Sequence, residues 1–395
     1  MQKKLISLAV ASALAIPGVA MADLKDVEVY GQIHASWDFI DNESTGDDFD
    51  DNTGAFRNSR LGFKGSEKIN ENVNAIWQIE TLLSTGSGTD PNGMDGDKVS
   101  LRNTFVGLQG DNWGTVAFGK HDTPYKLATQ DLDIFIDTIA DYNNIIGAHV
   151  IGANVVKSSF NNRASQTVMY KTPNFSGFQA AAARISVQND ETTGDDMQAW
   201  SAMAVFDKKD NPFFASLAYE LFRGGIDFVP NAAAGAAAAQ AVSSSTQDLD
   251  AWKLGLGYKI NNSKIGFVYE DIDLDGSGNS ASRDAFMVNF AHDFGSNTVK
   301  LAYARADDSD AADNDGAENW SVGLDHNFSD RTKMYGIFSR MSNESAANYG
   351  LFGGQSVASG TNFASTPGYH TGNNAGVAAG GKDIHAVSFG IIHSF

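Results

Sequence analysis

The sequence predicts an all-β fold, a transmembrane antiparallel β-barrel of about sixteen strands. Three observations predict it. Apolar and polar residues alternate over segments of about ten residues, turn-forming residues separate these segments, and the connections alternate between short and long along the chain. Beyond the first residues, no segment has the roughly 18 consecutive apolar residues that a transmembrane helix needs.

The composition favours many short strands and excludes several classes of protein. The chain has 395 residues, with 11% aromatic residues, 40 Gly and only 7 Pro, which suits strands joined by turns. It has no Cys, so a disulfide framework, a thiolate metal site and a cysteine nucleophile are excluded. Its formal net charge of −20 opposes phosphate binding, and nucleic acid is therefore not expected as a partner.

Residues 1–22 have the features of a secretory signal peptide. Two lysines open it, residues 5–16 form an apolar stretch, and Ala20-Met21-Ala22 is a small-x-small cleavage site. We expect cleavage after Ala22 and export through the periplasm. Residues 23–395 then form a single barrel domain.

Alternation is clearest in the first segment of the mature chain. Val29, Ile33 and Trp37 share one parity, whereas His34 and Asp38 share the other. Successive side chains of a strand point to opposite faces, so this segment has one apolar and one polar surface. The same pattern predicts strands near residues 27–39, 55–65, 72–83, 98–110, 112–121, 164–172, 177–188, 197–208, 211–222, 249–260, 262–272, 283–294, 296–306, 317–328, 331–342 and 383–395.

The residues opposite the apolar parity are often charged, which favours a membrane barrel over a soluble one. A soluble barrel encloses apolar side chains, whereas a membrane barrel turns them toward lipid. Alternation alone leaves a large soluble barrel as the alternative. The membrane interpretation places the following side chains in a water-filled lumen: Lys64, Gln78, Glu80, Lys253, Lys259, Lys264 and Glu270.

Backbone chemistry requires the predicted sheet to close on itself. An open edge in hydrocarbon would leave a row of amides without partners, so the last strand must pair with the first. Aromatic residues near the short-turn ends of the strands are expected to form a girdle at the membrane interface. These residues are Tyr258, Phe267, Phe294, Phe328, Tyr335 and Phe395.

Several short runs along the chain form a recognisable series. They are residues 29–31 (VYG), 59–67 (SRLGFKGSE), 102–108 (RNTFVGL), 113–116 (WGTV), 118–120 (FGK), 170–178 (YKTPNFSGF) and 388–395 (SFGIIHSF). In this order, over nearly the whole mature chain, they resemble the sixteen-stranded trimeric general porins of Gram-negative bacteria. Each run is weak alone, and the resemblance depends on their combination.

The resemblance implies a function, a location and partners. It implies an outer-membrane porin, a water-filled channel for passive diffusion of ions and small hydrophilic solutes, with no enzymatic activity and no cofactor. It also implies a homotrimer in contact with lipid and lipopolysaccharide. The closing strand, with Phe389, Ile391 and the terminal Phe395, resembles the signal that the barrel-assembly machinery recognises in family members.

The longest connection runs from about residue 121 to residue 163, and loops of this length inside compact domains are usually functional. The resemblance implies that this third external loop folds into the barrel and narrows it. Its acidic residues Asp131, Asp133, Asp137 and Asp141 are then expected to project toward the facing wall. Their spacing alone favours a solvated acidic loop on the cell surface, and only the position of the loop between the fifth and sixth predicted strands favours the constriction.

The facing wall of such a constriction needs cations. Arg60 and Lys64 lie on the polar parity of the second predicted strand, and Arg102 opens the fourth, where family members place basic residues. Further candidates are Arg57, Lys120 and Arg163. Facing acidic and basic groups create a transverse field that orients solutes and sets ion preference. Acidic external loops at residues 47–51 (DDFDD) and 307–310 (DDSD) lead us to expect a mild cation preference.

Other motifs and functions have less support. Residues 271–276 (DIDLDG) resemble the opening of a calcium loop, but the twelfth position is Ser282 rather than Glu. The eight His residues show no ligand spacing such as His-x-x-x-His, so no metal site is predicted. Two alternative functions remain: a substrate-selective channel of the same fold, suggested by the long last loop at 342–382, and a barrel-based outer-membrane hydrolase.

The signal-peptide prediction specifies the first residue of the exported protein. Because cleavage follows Ala22, the protein isolated from the outer membrane should begin at Asp23. N-terminal sequencing or the intact mass checks this, and a chain that retains Met1 would contradict it. An Ala22→Leu variant, which removes the small residue at the cleavage position, is the control and should accumulate as precursor.

Overall fold

The computed structural model describes most of the mature chain. The described residues are 27–43, 47–83, 100–147, 149–151, 154–156, 160–186, 198–223, 247–276, 281–347, 349–351 and 381–395. The expected signal peptide and residues 352–380 of the long last loop lie outside them.

The described residues form nineteen β-strands and a few short helical turns. The strands are β1 (Val27–Asn42), β2 (Asp47–Phe56), β3 (Arg60–Asn70), β4 (Val73–Leu82), β5 (Leu101–Gly110), β6 (Gly114–Asp122), β7 (His149–Ile151), β8 (Asn154–Val156), β9 (Arg163–Lys171), β10 (Phe178–Ile185), β11 (Gln198–Asp207), β12 (Phe213–Arg223), β13 (Gln247–Ile260), β14 (Ser263–Gly276), β15 (Ala281–Phe294), β16 (Asn297–Ala306), β17 (Ala317–Ser329), β18 (Thr332–Asn343) and β19 (Ile384–Ser394). The helical segments are α1 (Pro124–Leu127) and the 3-10 helices Gln130–Leu132 and Tyr142–Asn144. None of the helices in this part of the chain is long and apolar enough to cross a membrane.

The sheet closes because its first and last strands pair. β1 is antiparallel to β19 from Gln32↔Ser394 to Asn42↔Ile384. Seventeen strands belong to this sheet, whereas β7 and β8 form a separate hairpin. β2 pairs with the second half of β1 and β3 with the first half, so β2 and β3 together make one strand of the wall. The described chain therefore forms a closed antiparallel barrel of sixteen strands, as predicted.

The second wall strand differs from its prediction. The sequence predicts one continuous strand near 55–65, but β2 and β3 are separated at Asn58, whose φ is +46°. Around this break Arg57 N donates to His34 O (2.8 Å), and the Ser59 hydroxyl bonds both backbone groups of His34. Hydrogen bonds from the Ser59 side chain and the Arg57 backbone thus replace the missing part of the β-ladder. The alternation of apolar and polar residues does not indicate this break.

Side-chain exposure follows the predicted parity. Val29 and Trp37 are 53% and 52% exposed on the outward face, whereas His34 and Asp38 are fully buried on the inner face. The outward residues are apolar because they must contact lipid, and the inner residues are free to be polar.

Five of the six aromatic residues predicted for the girdle lie on the outward face, with Phe267 only partly exposed, and Tyr335 does not. The rings of Tyr258, Phe294, Phe328 and Phe395 are exposed on the outward face near the short turns. Tyr335 was wrongly predicted to join them. It shares the inner parity of β18, is 4% exposed, and its hydroxyl lies 2.9 Å from His34 Nε2.

Part of the inner wall is apolar and supports loop 3, the segment 123–162 between β6 and β9. Phe135, Ile139, Ile145 and Ile146 of the loop are buried against this wall. Small or flexible apolar side chains on the inner faces of β14 to β19 pack against these loop residues. Such side chains leave space inside the barrel for the loop. The receiving residues include Val268, Ala285, Met287, Ala304, Ala306, Ile337, Met341 and Ala386.

The closing seam is tight at Gly31. Gly31 N donates to Phe395 O (3.0 Å), and Phe395 N donates to Gly31 O (3.1 Å). A Cβ at residue 31 would lie 2.5 Å from Phe395 Cζ and 2.6 Å from the Arg60 carbonyl oxygen. The backbone of the neighbouring strand leaves no space for a side chain at this position.

Gly31→Val should therefore destabilise the seam. Overpacking of this kind costs about 1–3 kcal/mol, and the folded band on an unheated SDS gel should disappear at a lower temperature than for the wild type. Ala35→Val on the outward face of the same strand is the matched control. Equal thermal stability of the two variants would contradict the expectation.

Candidate functional site

Loop 3 begins with a capped helical turn fixed to the wall. The Thr123 side chain accepts a hydrogen bond from Lys126 N at the start of α1. Tyr125 is fully buried, and its N–H donates to Ser201 Oγ (2.9 Å) while its hydroxyl donates to Glu270 Oε2 (2.8 Å). The start of the loop is thus bound to the inner faces of β11 and β14.

Buried charges hold a second part of loop 3. Glu270 Oε1 accepts hydrogen bonds from Gly147 N (2.6 Å) and from Arg283 Nη2 (3.0 Å). Arg283 Nη1 also donates to Ile145 O (3.3 Å). One carboxylate and one guanidinium from adjacent strands therefore bind both loop backbone and each other.

Lys253 lies in the same buried cluster. It donates a hydrogen bond to Asn161, and its Nζ is 3.9 Å from the centroid of the Tyr125 ring. The expectation that Lys253 and Glu270 line water is wrong, because loop 3 covers both and leaves each 0% exposed. Lys259, on the same strand as Lys253 but nearer the short turn, has an exposed side chain as expected.

Inner-face side chains of the next strands hold the middle of the loop. Asn289 Nδ2 donates to Leu132 O (2.6 Å), and Lys300 Nζ donates to Ile134 O (2.9 Å). Lys300 is also paired with Asp325 (2.9 Å). These contacts bind loop 3 to one side of the barrel, opposite the wall formed by β3 to β6 and β9.

The tip of loop 3 contacts that opposite wall through Asp137. Asn58 Nδ2 donates to Asp137 Oδ1 (2.6 Å), and Arg60 Nη1 lies 3.3 Å from Asp137 Oδ2. Burial alone would raise the pKa of Asp137, but Arg60 and Arg102 outweigh it and hold the pKa below its usual value. The loop thus spans the barrel, with an ionised carboxylate at its far end.

The other three predicted acidic residues have different surroundings. Asp133 accepts hydrogen bonds from Phe135 N (2.8 Å) and Tyr142 N (3.1 Å), and it is buried inside the loop. Asp141 accepts from the backbone N–H of Asp137 (2.8 Å) and is also buried. Burial raises the pKa of both carboxyl groups. Asp131 is exposed.

The basic wall contains Arg102, which a register shift turns inward. The pairing of β4 and β5 shifts between Ile79 and Thr81, opposite Arg102, and bulges of this kind re-aim side chains. Arg102 Nε donates to Glu80 Oε1 (2.6 Å), and Nη1 donates to Asn58 Oδ1 (3.0 Å). Arg102 and Asp137 therefore share Asn58 as a common partner.

A second group of cations lies beside Arg102. Arg163 Nη2 and Lys126 Nζ both contact Asp122 Oδ1, at 3.0 Å and 2.7 Å. Lys120 lies near enough to Arg163 and Arg102 for these like charges to repel one another. It is located where the pairing of β6 and β9 shifts register. Four predicted basic residues, Arg60, Arg102, Lys120 and Arg163, are thus brought together on one wall.

The two remaining basic candidates lie apart from this group. Arg57 is fully buried, donates to Ser36 Oγ (2.6 Å) and forms an ion pair with Asp38. Lys64 pairs with Glu28 (3.0 Å) nearer the short-turn end, where its side chain is 45% exposed.

Sequence reasoning missed Asp122, Lys126 and Asn58 at this site. Asp122 ends β6, and Lys126 follows four residues later in the helical turn that Thr123 caps, so the short connection brings the two side chains together. That spacing was readable in the sequence. The role of Asn58 was not, because it depends on the break in the second wall strand.

Known proteins resemble this chain over most of its length. It matches the family model described as Gram-negative porin over residues 8–347. The chain belongs to the Gram-negative porin family. It is therefore an outer-membrane protein with the fold of a passive diffusion channel for small hydrophilic solutes, and family and fold indicate a channel rather than an enzyme.

Curated relatives and solved structures agree with this assignment. This porin is 27% identical to outer membrane porin protein 32 of Delftia acidovorans over 89% of its own length and 92% of the relative's. It is 34% identical to major outer membrane protein P.IB of Neisseria sicca over 46% of each chain. The anion-selective porin from Comamonas acidovorans superposes with a TM-score of 0.74 at 21% identity, covering 93% of this chain and 99% of that one. OmpT of Vibrio cholerae superposes with a TM-score of 0.62 at 13% identity, covering 93% and 97%.

The buried carboxyl of Asp141 should make stability depend on pH. Burial, followed by the charge of Asp137, raises the pKa of Asp141 from 3.8 to about 6. The folded chain thus binds this proton more tightly than the unfolded chain, so the contribution is full below about pH 4 and is lost as the pH rises through about 6. Relative to Asp141→Asn, the free energy of unfolding should fall by about 2–3 kcal/mol across that range.

Guanidinium unfolding of the detergent-folded protein at several pH values measures this difference. Subtracting the Asp141→Asn curve removes the titration of other carboxyl groups. Parallel pH dependence of the two proteins would contradict the prediction.

Proposed function

We propose that the narrowest part of the channel lies between the tip of loop 3 and the basic wall. Asp137 is the charged group on the loop side of the constriction. Its side chain is 12% exposed and that of its ion-pair partner Arg60 is 26% exposed, which supports contact of both with permeating solutes. The basic side consists of Arg60, Arg102, Lys120, Lys126 and Arg163.

The other predicted residues have supporting roles in this proposal. Asp133 and Asp141 hold the shape of the loop through backbone N–H groups rather than contacting solutes. Asp131 interacts with Lys171 and Lys259 nearer the short-turn side and acts on solutes after the constriction. Lys64 acts in that region also, whereas Arg57 keeps the split strand in place.

The charge balance at the constriction favours small anions. The five cations of the wall face three carboxylates, Glu80, Asp122 and Asp137, which leaves a net charge of +2. Fixed charge acts most strongly where the passage is narrow and its walls have a low dielectric constant. This preference opposes the cation preference expected from the acidic external loops. The similar fold of the Comamonas acidovorans porin, which is described as anion-selective, supports it.

Assembly and partners complete the proposal. Three copies form the working unit, as in the trimer form described for the Vibrio cholerae protein. The assembly machinery recognises the closing strand, where Phe389, Ile391 and Phe395 are 56%, 45% and 41% exposed on the outward face. Lipid and lipopolysaccharide contact the remaining outward face, residues 1–22 are removed on export, and the barrel catalyses no reaction.

Single-channel reversal potentials under a salt gradient test the constriction. The wild type should favour chloride, Arg102→Gln should shift the permeability ratio about two- to five-fold toward potassium, and Asp137→Asn should shift it toward chloride. Lys264→Gln, which removes an exposed cation at a short turn, is the control and should change little. Potassium preference in the wild type, or equal shifts in Arg102→Gln and Lys264→Gln, would contradict the proposal.

A further inference from the structure

A group of three potential metal ligands lies on the outside of the barrel, at the long-loop end of the closing seam. Glu43 directly follows β1 and lies opposite Asp383, with Glu43 N donating to Asp383 O (3.2 Å). His385 is two residues further along β19, where it pairs with Asp41. Residues two apart on a strand share a face, so all three side chains point outward, on the parity of Phe389.

The geometry of this group suits a metal ion. One carboxylate oxygen of Glu43, one of Asp383 and one ring nitrogen of His385 lie within 4.8 Å of one another. His385 Nε2 is buried and has no hydrogen-bond partner among the residues that the structure describes. A buried imidazole nitrogen without a hydrogen-bond partner is costly unless a ligand satisfies it.

Neighbouring side chains hold the ligands in place. Asp383 Oδ2 accepts hydrogen bonds from Arg340 Nη2 (2.7 Å) and Ser342 Oγ (3.2 Å). The His385 ring packs edge-on against Phe338, with 6.3 Å between the ring centroids. The ion pair with Arg340 and the packing of the His385 ring orient these side chains.

We propose that Glu43, Asp383 and His385 bind a divalent transition-metal ion of the Zn²⁺ class. One imidazole and two carboxylates form a ligand set that suits Zn²⁺, whereas Mg²⁺ and Ca²⁺ prefer oxygen ligands alone. Glu43 directly follows β1, Asp383 directly precedes β19 and His385 lies within β19, so the ion joins the two strands that close the barrel. The ion thus crosslinks the closing seam at its long-loop end, far from the constriction.

Zn²⁺ binding to the full, detergent-folded protein tests the proposal. Equilibrium dialysis should show one site per chain whose affinity falls at least tenfold in His385→Asn and in Glu43→Gln, with excess Mg²⁺ failing to compete. Zn²⁺ should also raise the temperature at which the folded band is lost for the wild type and not for these variants, because a ligand that binds only the folded state stabilises it. The folded band itself confirms that each variant has formed its barrel.

Two controls separate coordination from simpler effects. His393→Asn removes an imidazole from the same strand near the short turns, and Asp41→Asn removes a carboxylate from the same rim without being one of the three ligands. Both should keep the site within about two-fold, since screened attraction by one extra carboxylate is small. Unchanged binding in His385→Asn, or an equal loss in Asp41→Asn and Glu43→Gln, would overturn the proposal.

Discussion

The need to pair every backbone amide in lipid determines the rest of this structure. An open sheet edge in hydrocarbon would leave a row of N–H and C=O groups unsatisfied, so the chain must bring its last strand back to its first. The pairing of β1 with β19 meets that need over eleven register pairs, from Gln32↔Ser394 to Asn42↔Ile384. Once the sheet is closed, outward positions must be apolar and polar chemistry is confined to the lumen and the rims.

Loop 3 divides that lumen into two unlike halves. On one side the loop is bound by apolar packing and by the charged side chains of Lys253, Arg283 and Glu270, all fully or nearly fully buried. Removing one member of such a set leaves a buried charge without compensation, which is strongly destabilising. The opposite half keeps partly exposed cations. The loop is therefore rigidly placed by one wall so that its tip can face the other.

Much of the fold was predictable, because a two-residue period reports which face meets lipid regardless of tertiary detail. The positions of the strands and the inward position of Arg60 follow from that period, whereas the closure of the sheet follows from the need to pair every backbone amide. Predictions failed where local structure breaks it: the split at Asn58 and the inner-face Tyr335. They also failed for Lys253 and Glu270, because the loop that covers them lies far away in the sequence. No spacing rule could relate Glu43 to His385, since only the register of the seam makes them neighbours.

The break between β2 and β3 divides one wall strand into two segments that pair with different halves of β1. Below it, Arg60 is held in register with β1 and β4. Above it, β2 continues toward the cell surface. The turn at Asn58 and the hydrogen bonds of the Ser59 hydroxyl with His34 connect β2 to β3 without a continuous β-ladder. A change in the backbone path of β2 therefore need not move Arg60, because the segment that carries Arg60 keeps its own pairing with β1 and β4.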